Sequence, residues 1–134
     1  MEEKEVNQMN MLSLAFLGDA VFTLFVRERV LNSNDAKSGA LHKIASAIVC
    51  ASAQAKMLDG IMDEMTETEK DIARRSRNCH NNTKAKNAPL ATYKKATALE
   101  GVLGYLWESG QKARAYELMN KCMEIISSGG KDNE

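Results

Sequence analysis

Apolar positions recur along the chain at helical spacing, in blocks separated by short polar clusters. The densest block runs from Leu12 to Leu31 and includes Leu14, Phe16, Leu17, Val21, Phe22, Leu24 and Phe25. It predicts a helix that is apolar nearly all round, as a central helix would be. Asn32-Ser33-Asn34-Asp35 reads as a turn. Ser38 is a candidate cap for a second helix reaching about Leu58, with Leu41, Ile44, Ile48, Ala51 and Ala55 on one stripe. Thr66-Glu67-Thr68-Glu69 has the form of a capping box and predicts a third helix from there to about Arg77. Asn78 to Ala91 reads as a long polar loop containing the lone Pro89. A fourth helix follows from about Thr92 to Glu108, with Ala96, Leu99, Leu103 and Leu106 inward, ended by Ser109-Gly110. A fifth runs from about Gln111 to Ser127, with Leu118, Cys122, Ile125 and Ile126 on one face. No segment alternates with a period of two, and no internal repeat occurs. The pattern predicts an all-α domain over residues 11–127. Residues 1–10 are expected to be flexible, frayed over 1–8, and residues 128–134 a disordered tail.

Composition narrows this picture in three ways. At 134 residues the chain can bury a core without a disulfide or structural metal, and a single proline suits helix throughout. The three cysteines, Cys50, Cys79 and Cys122, are odd in number and scattered, which argues against a disulfide framework or zinc site and fits a reducing compartment. Cys50 and Cys122 read as small buried apolar residues. The acidic start Met1-Glu2-Glu3-Lys4-Glu5 is unlike a secretory signal, and the longest apolar stretch, Leu12 to Val26, is too short to span a bilayer and contains Asp19. The expectation is a cytoplasmic protein with no membrane partner.

Charge is balanced overall, with 18 bases against 18 acids, but it is unevenly placed. Between Ile72 and Leu99 lie Arg74, Arg75, Arg77, Lys84, Lys86, Lys94 and Lys95 and no acid. Such a segment is suited to a phosphate backbone. Two carboxylates occupy apolar surroundings. Asp19 has Ala15, Phe16, Phe22 and Thr23 as its helical neighbours, and Glu100 sits in Ala96-Thr97-Ala98-Leu99-Glu100-Gly101-Val102-Leu103-Gly104. A buried carboxylate without a partner is costly, so each needs compensation. A structural partner elsewhere in the fold is one answer. Convergence of both acids on a divalent cation is the other, with the small residues Gly18, Ala20, Gly101 and Gly104 letting helices approach closely. A metal beside a basic surface points to phosphodiester hydrolysis. His42 and His80 are isolated, no phosphate-binding loop or H-E-x-x-H occurs, and the methionines read as core filler or interface.

Leu14-Ala15-Phe16-Leu17-Gly18-Asp19-Ala20-Val21 resembles the signature of the ribonuclease III catalytic domain, and Ala98 to Leu106 resembles its C-terminal acidic motif. Order and separation match as well. Phe25-Val26-Arg27, Leu41-His42-Lys43, Ala53-Gln54-Ala55, Arg75-Ser76-Arg77-Asn78 and Lys86-Asn87 are similar to the compact form of that family, Mini-ribonuclease III, which has no separate RNA-binding domain. The resemblance covers residues 11 to 127.

The resemblance implies an all-α, homodimeric catalytic domain that hydrolyses double-stranded RNA with magnesium, or manganese in its place. The products carry 5′-phosphate and 3′-hydroxyl ends. For the compact form it implies maturation of 23S ribosomal RNA precursor. Asp19 and Glu100 correspond to catalytic, metal-binding carboxylates. The full-length family has a glutamate where this chain has Ala15 and an aspartate where it has Thr97, so two of four acids are missing here, as in the compact form. Arg74, Arg75, Arg77, Asn78, Lys84, Lys86, Asn87 and Lys94 are the expected RNA-binding residues, reading A-form shape. Two alternatives stand beside this: a non-catalytic RNA-binding relative, and a helical protein-interaction module.

Overall fold

A computed structural model describes residues 1–33, 37–79 and 89–132 of the chain. Its helices are α1 (Glu3–Asn7), α2 (Met11–Ser33), α3 (Ser38–Val49), α4 (Ala51–Ile61), α5 (Glu67–Asn78), α6 (Leu90–Glu108) and α7 (Lys112–Asp132), with a 3-10 turn at Met62–Glu64 before α5. No strand occurs among the described residues, as the all-α expectation required. No single helix among them is long and apolar enough to cross a membrane.

The central helix is α6, not α2. Ala96 to Leu99 and Gly101 to Leu106 are all buried, and α2, α4, α5 and α7 pack around them. The two helices have similar apolar content, so the sequence did not separate them. In the fold α2 keeps Phe16, Leu24 and Leu31 in solvent, while Leu14, Val21, Phe22, Phe25 and Val26 enter the core. From α7 come Ala115, Leu118, Met119 and Cys122, all fully buried at helical spacing.

Residues 3–7 are helical rather than frayed. Val6 is 0% exposed, and the Arg75 guanidinium donates to Asn7 Oδ1 at 2.8 Å and to the Asn7 carbonyl at 2.7 Å. One apolar side chain in a polar segment carries no periodicity, which is why the helix was not visible in the pattern. The helix expected from Ser38 to Leu58 is two helices bent by 51°. Cys50 breaks it with extended backbone, φ −68° and ψ 158°. Cys50 is consequently exposed, against expectation, whereas Cys122 is buried. Ser38 is the first helical residue, and the cap position falls on Lys37, which makes no side-chain cap. At the C-terminus α7 continues past Ser127 to Asp132, into the segment expected to be disordered.

The capping box at α5 is complete. Thr66 Oγ1 accepts from the Glu69 amide at 3.1 Å, and Glu69 Oε1 accepts from the Thr66 amide at 2.9 Å. Glu69 is only 3% exposed, and Arg114 of α7 grips both its oxygens at 2.9 Å while also donating to the Glu64 carbonyl. This fork joins the start of α5 to α7. The α6 terminus is also as expected: Gly110, at φ +80°, takes the left-handed conformation after the helix end.

Candidate active site

The site begins with two glycines. A Cβ at Gly18 would lie 1.7 Å from the Glu100 carbonyl oxygen, and one at Gly104 would lie 1.8 Å from the Leu14 carbonyl oxygen. Thus α2 and α6 cross in main-chain contact, which only glycine permits here. Gly101 serves a different approach, since a Cβ there would meet Ser76 of α5.

Asp19 follows Gly18 and so comes beside Glu100. The two acids line one cavity of about 210 Å³ with Leu12, Ala15, Phe16, Tyr93 and Thr97. Ala15 and Thr97, the positions where the resemblance implies acids in the full-length family, face the same space. Thr97 Oγ1 donates to the Tyr93 carbonyl at 3.1 Å.

The pair is electrostatically incomplete. Asp19 is exposed and Glu100 half-buried, and no salt bridge reaches either among the described residues. Burial first, then the Asp19 charge and a hydrogen bond with it, push the Glu100 carboxyl up to about 8, while a hydrogen bond from Gln54 pulls the other way. Two ionised carboxylates side by side repel, and the donor set is hard oxygen, which suits a small divalent cation. No group of three or more His, Cys, Asp or Glu that could hold a metal occurs among the described residues, so water or substrate would complete the shell.

The basic residues divide. Arg75 is committed to Asn7 and Asp71, a structural tie between α1 and α5. Arg74 pairs with Asp71 at 2.6 Å and remains exposed. Arg74 and Arg77 line a separate cleft of about 360 Å³ with Lys70, Lys95 and Asp59. None of its lining residues belongs to the carboxylate cavity. Asn78 is the exposed last residue of α5, and Lys94 is half-exposed near the start of α6. Lys84, Lys86 and Asn87 lie outside the described residues.

The expected RNA-binding set left out Lys70, and left out Lys95 although it lies in the acid-free basic segment. Lys70, Arg74 and Arg77 share a helix face at spacings of four and three, a signal that was present.

A helical domain whose crossing helices bring two acids into one cavity is the arrangement to set beside known proteins. The ribonuclease III domain matches residues 12–111. Mini-ribonuclease 3 of Enterococcus faecalis is 35% identical over 133 residues, covering 98% of each chain. Mini-ribonuclease 3 of Streptococcus pneumoniae is 37% identical, covering 91% of this chain and 97% of that one. The X-ray structure of a protein from Fusobacterium nucleatum superimposes with a TM-score of 0.78 at 28% identity, covering 92% of this chain and 95% of the other. The chain belongs to the Mini-ribonuclease 3 group of the ribonuclease III family, metal-dependent endoribonucleases that act on double-stranded RNA.

Proposed function

We propose that this endoribonuclease cleaves double-stranded RNA through Asp19 and Glu100, with magnesium, or manganese in its place, held between them. The observation that carries the reading is the meeting of these two acids, from different helices, in one cavity that holds no cationic side chain. Bound there, the cation lowers the pKa of a water and offsets charge on the scissile phosphate. Asp19, the more exposed acid, offers its oxygens to solvent and substrate; Glu100 supplies the inner wall. Thr97 and Ala15 leave room and add no charge. Arg74, Arg77 and Lys94, with Asn78, Lys84, Lys86 and Asn87, hold phosphates of the duplex, and Lys70 and Lys95 extend that basic surface. Arg75 contributes by anchoring α5.

The active form is a homodimer. Phe16 is 84% exposed at the rim of the acid-lined cavity, and Leu24 and Leu31 continue the apolar surface of α2. A second copy covering them would pair two sites across one duplex. Precursor 23S ribosomal RNA in the cytoplasm is the proposed substrate. The test compares wild type with Asp19→Asn and Glu100→Gln on a radiolabelled RNA duplex in magnesium, with circular dichroism confirming the fold. Both variants are expected to lose at least about a hundredfold in rate. Wild-type cleavage by either one would overturn the assignment.

A further inference from the structure

The basic cleft holds an acid. Lys70, Arg74, Arg77 and Lys95 line it, and Asp59 of α4 is the one acid among its described lining residues. Lys70 and Arg74 pair with Glu67 and Asp71 along their own helix, and neither of those acids lines the cleft. Lys95 pairs inside it: its ammonium donates to Asp59 Oδ2 at 3.0 Å, from α6 to α4. Asp59 Oδ1 has no hydrogen-bond partner among the described residues.

Tying two helices together does not account for this acid. The Asp59 side chain is 58% exposed and that of Lys95 34%, so water screens the pair, and α4 already packs on α6 through buried side chains. Toward a ligand that offers only phosphates, Asp59 is purely repulsive. An acid is useful here when the ligand also offers a hydrogen-bond donor, and duplex RNA does. Its A-form minor groove is wide and shallow and displays 2′-hydroxyls, which DNA lacks. Guanine offers an amino group as well, but only at G·C pairs. The hydroxyl recurs at every nucleotide, which suits a surface that reads shape. A carboxylate held by one oxygen on Lys95 keeps the other for that hydroxyl, and the charge-assisted hydrogen bond offsets the repulsion. Where the hydroxyl is missing, the repulsion stands alone.

We propose that Asp59 determines specificity for RNA, accepting a 2′-hydroxyl through Oδ1 while Arg77 and Lys95 take neighbouring phosphates. The inference rests on the reading of this cleft as part of the duplex-binding surface. The Lys95 ammonium has three donors, enough to orient Asp59 and reach a phosphate together.

The test uses the full chain at low salt without divalent cation, so that binding is read without cleavage. Fluorescence anisotropy compares an RNA duplex with its fully 2′-fluoro counterpart, which keeps the A form and lacks the donor. Wild type is expected to prefer the RNA duplex by about tenfold or more. In Asp59→Ala that preference should fall by about tenfold, chiefly because the 2′-fluoro duplex binds more tightly. A merely structural role for the Asp59–Lys95 pair would move both affinities together and leave their ratio alone. Arg74→Ala and Arg77→Ala should weaken both duplexes alike, each lowering the slope of log affinity against log salt by about one. If Asp59→Ala tightens both duplexes equally, or wild type binds the two equally, the inference is overturned, and weakened binding by the arginine variants leaves the duplex surface standing. If both arginine variants bind as wild type does, the surface reading falls and this inference with it.

Discussion

Replacing Gly18 by alanine tests the crossing on which the site depends. The added Cβ would sit 1.7 Å from the Glu100 carbonyl oxygen, with the Glu100 carbonyl carbon at 2.6 Å and the Gly104 amide nitrogen at 2.9 Å. An ordinary carbon–oxygen contact is about 3.3 Å, so α2 and α6 must part locally by about 1.5 Å. The atoms struck are main chain of the central helix, and no rotamer change clears them. Overpacking of this kind costs about 3 kcal/mol or more, against which alanine returns about 1 kcal/mol of helix propensity. A net loss of about 2 kcal/mol lowers the melting temperature of a chain this size by roughly 8 °C. Gly39→Ala is the control, because a Cβ there meets nothing within 4 Å. It should gain about 0.5–1 kcal/mol. Gly60→Ala lies between, since its Cβ meets the Ile125 side chain, which can rotate. Urea unfolding of the three variants gives the ranking. Cleavage by Gly18→Ala, measured well below its melting temperature, should fall further than stability does, because Asp19 moves away from Glu100. A Gly18→Ala protein as stable as the Gly39→Ala control would refute the crossing.

The metal-free protein should lose stability with rising pH. Glu100 is raised from its ordinary 4.5 to about 8 by burial and by Asp19, so the folded state binds the extra proton. Its contribution is full below about pH 4.5 and is lost as pH climbs to about 8. Melting curves across that window should show the slope; saturating Mg²⁺ should flatten it, and Asp19→Asn should only reduce it, because burial is the larger cause. Arg114→Ala leaves the Glu69 carboxylate buried without its fork and should cost about 3–5 kcal/mol in chemical denaturation; a cost below about 1 kcal/mol would show the pair to be dispensable. Cys50 should react first with iodoacetamide. Its burial is slight and is outweighed by hydrogen bonds from Ser52 and the first amides of α4, which lower its thiol, while burial pushes Cys122 up to about 12. Mass spectrometry of the labelled native protein reads the order, and Cys122 modified ahead of Cys50 would contradict it.

Local chemistry was readable where its parts are close in sequence. Thr66 and Glu69 form a capping box within four residues, and the structure contains it. Asp19 and Glu100 were visible as acids in apolar company, and Gly18 and Gly104 as small residues beside them. From the residues alone their meeting was one of two open readings, because it depends on which face of α2 meets which face of α6. The break at Cys50 was hidden because neither proline nor glycine marks it and apolar spacing continues on both sides. Arg75 looked like its neighbours, yet its partner is Asn7, on another element.

Ala15 and Thr97 give the site a particular charge stoichiometry. With both acids ionised, the cavity carries two negative charges and no others from its lining. A single divalent ion cancels them, and a second would leave a positive excess in a half-buried space. That excess is balanced only when a phosphate enters. If the proposed metal reading holds, these two neutral side chains would couple any second ion to the arrival of RNA, with the nucleic acid supplying the missing ligand charge.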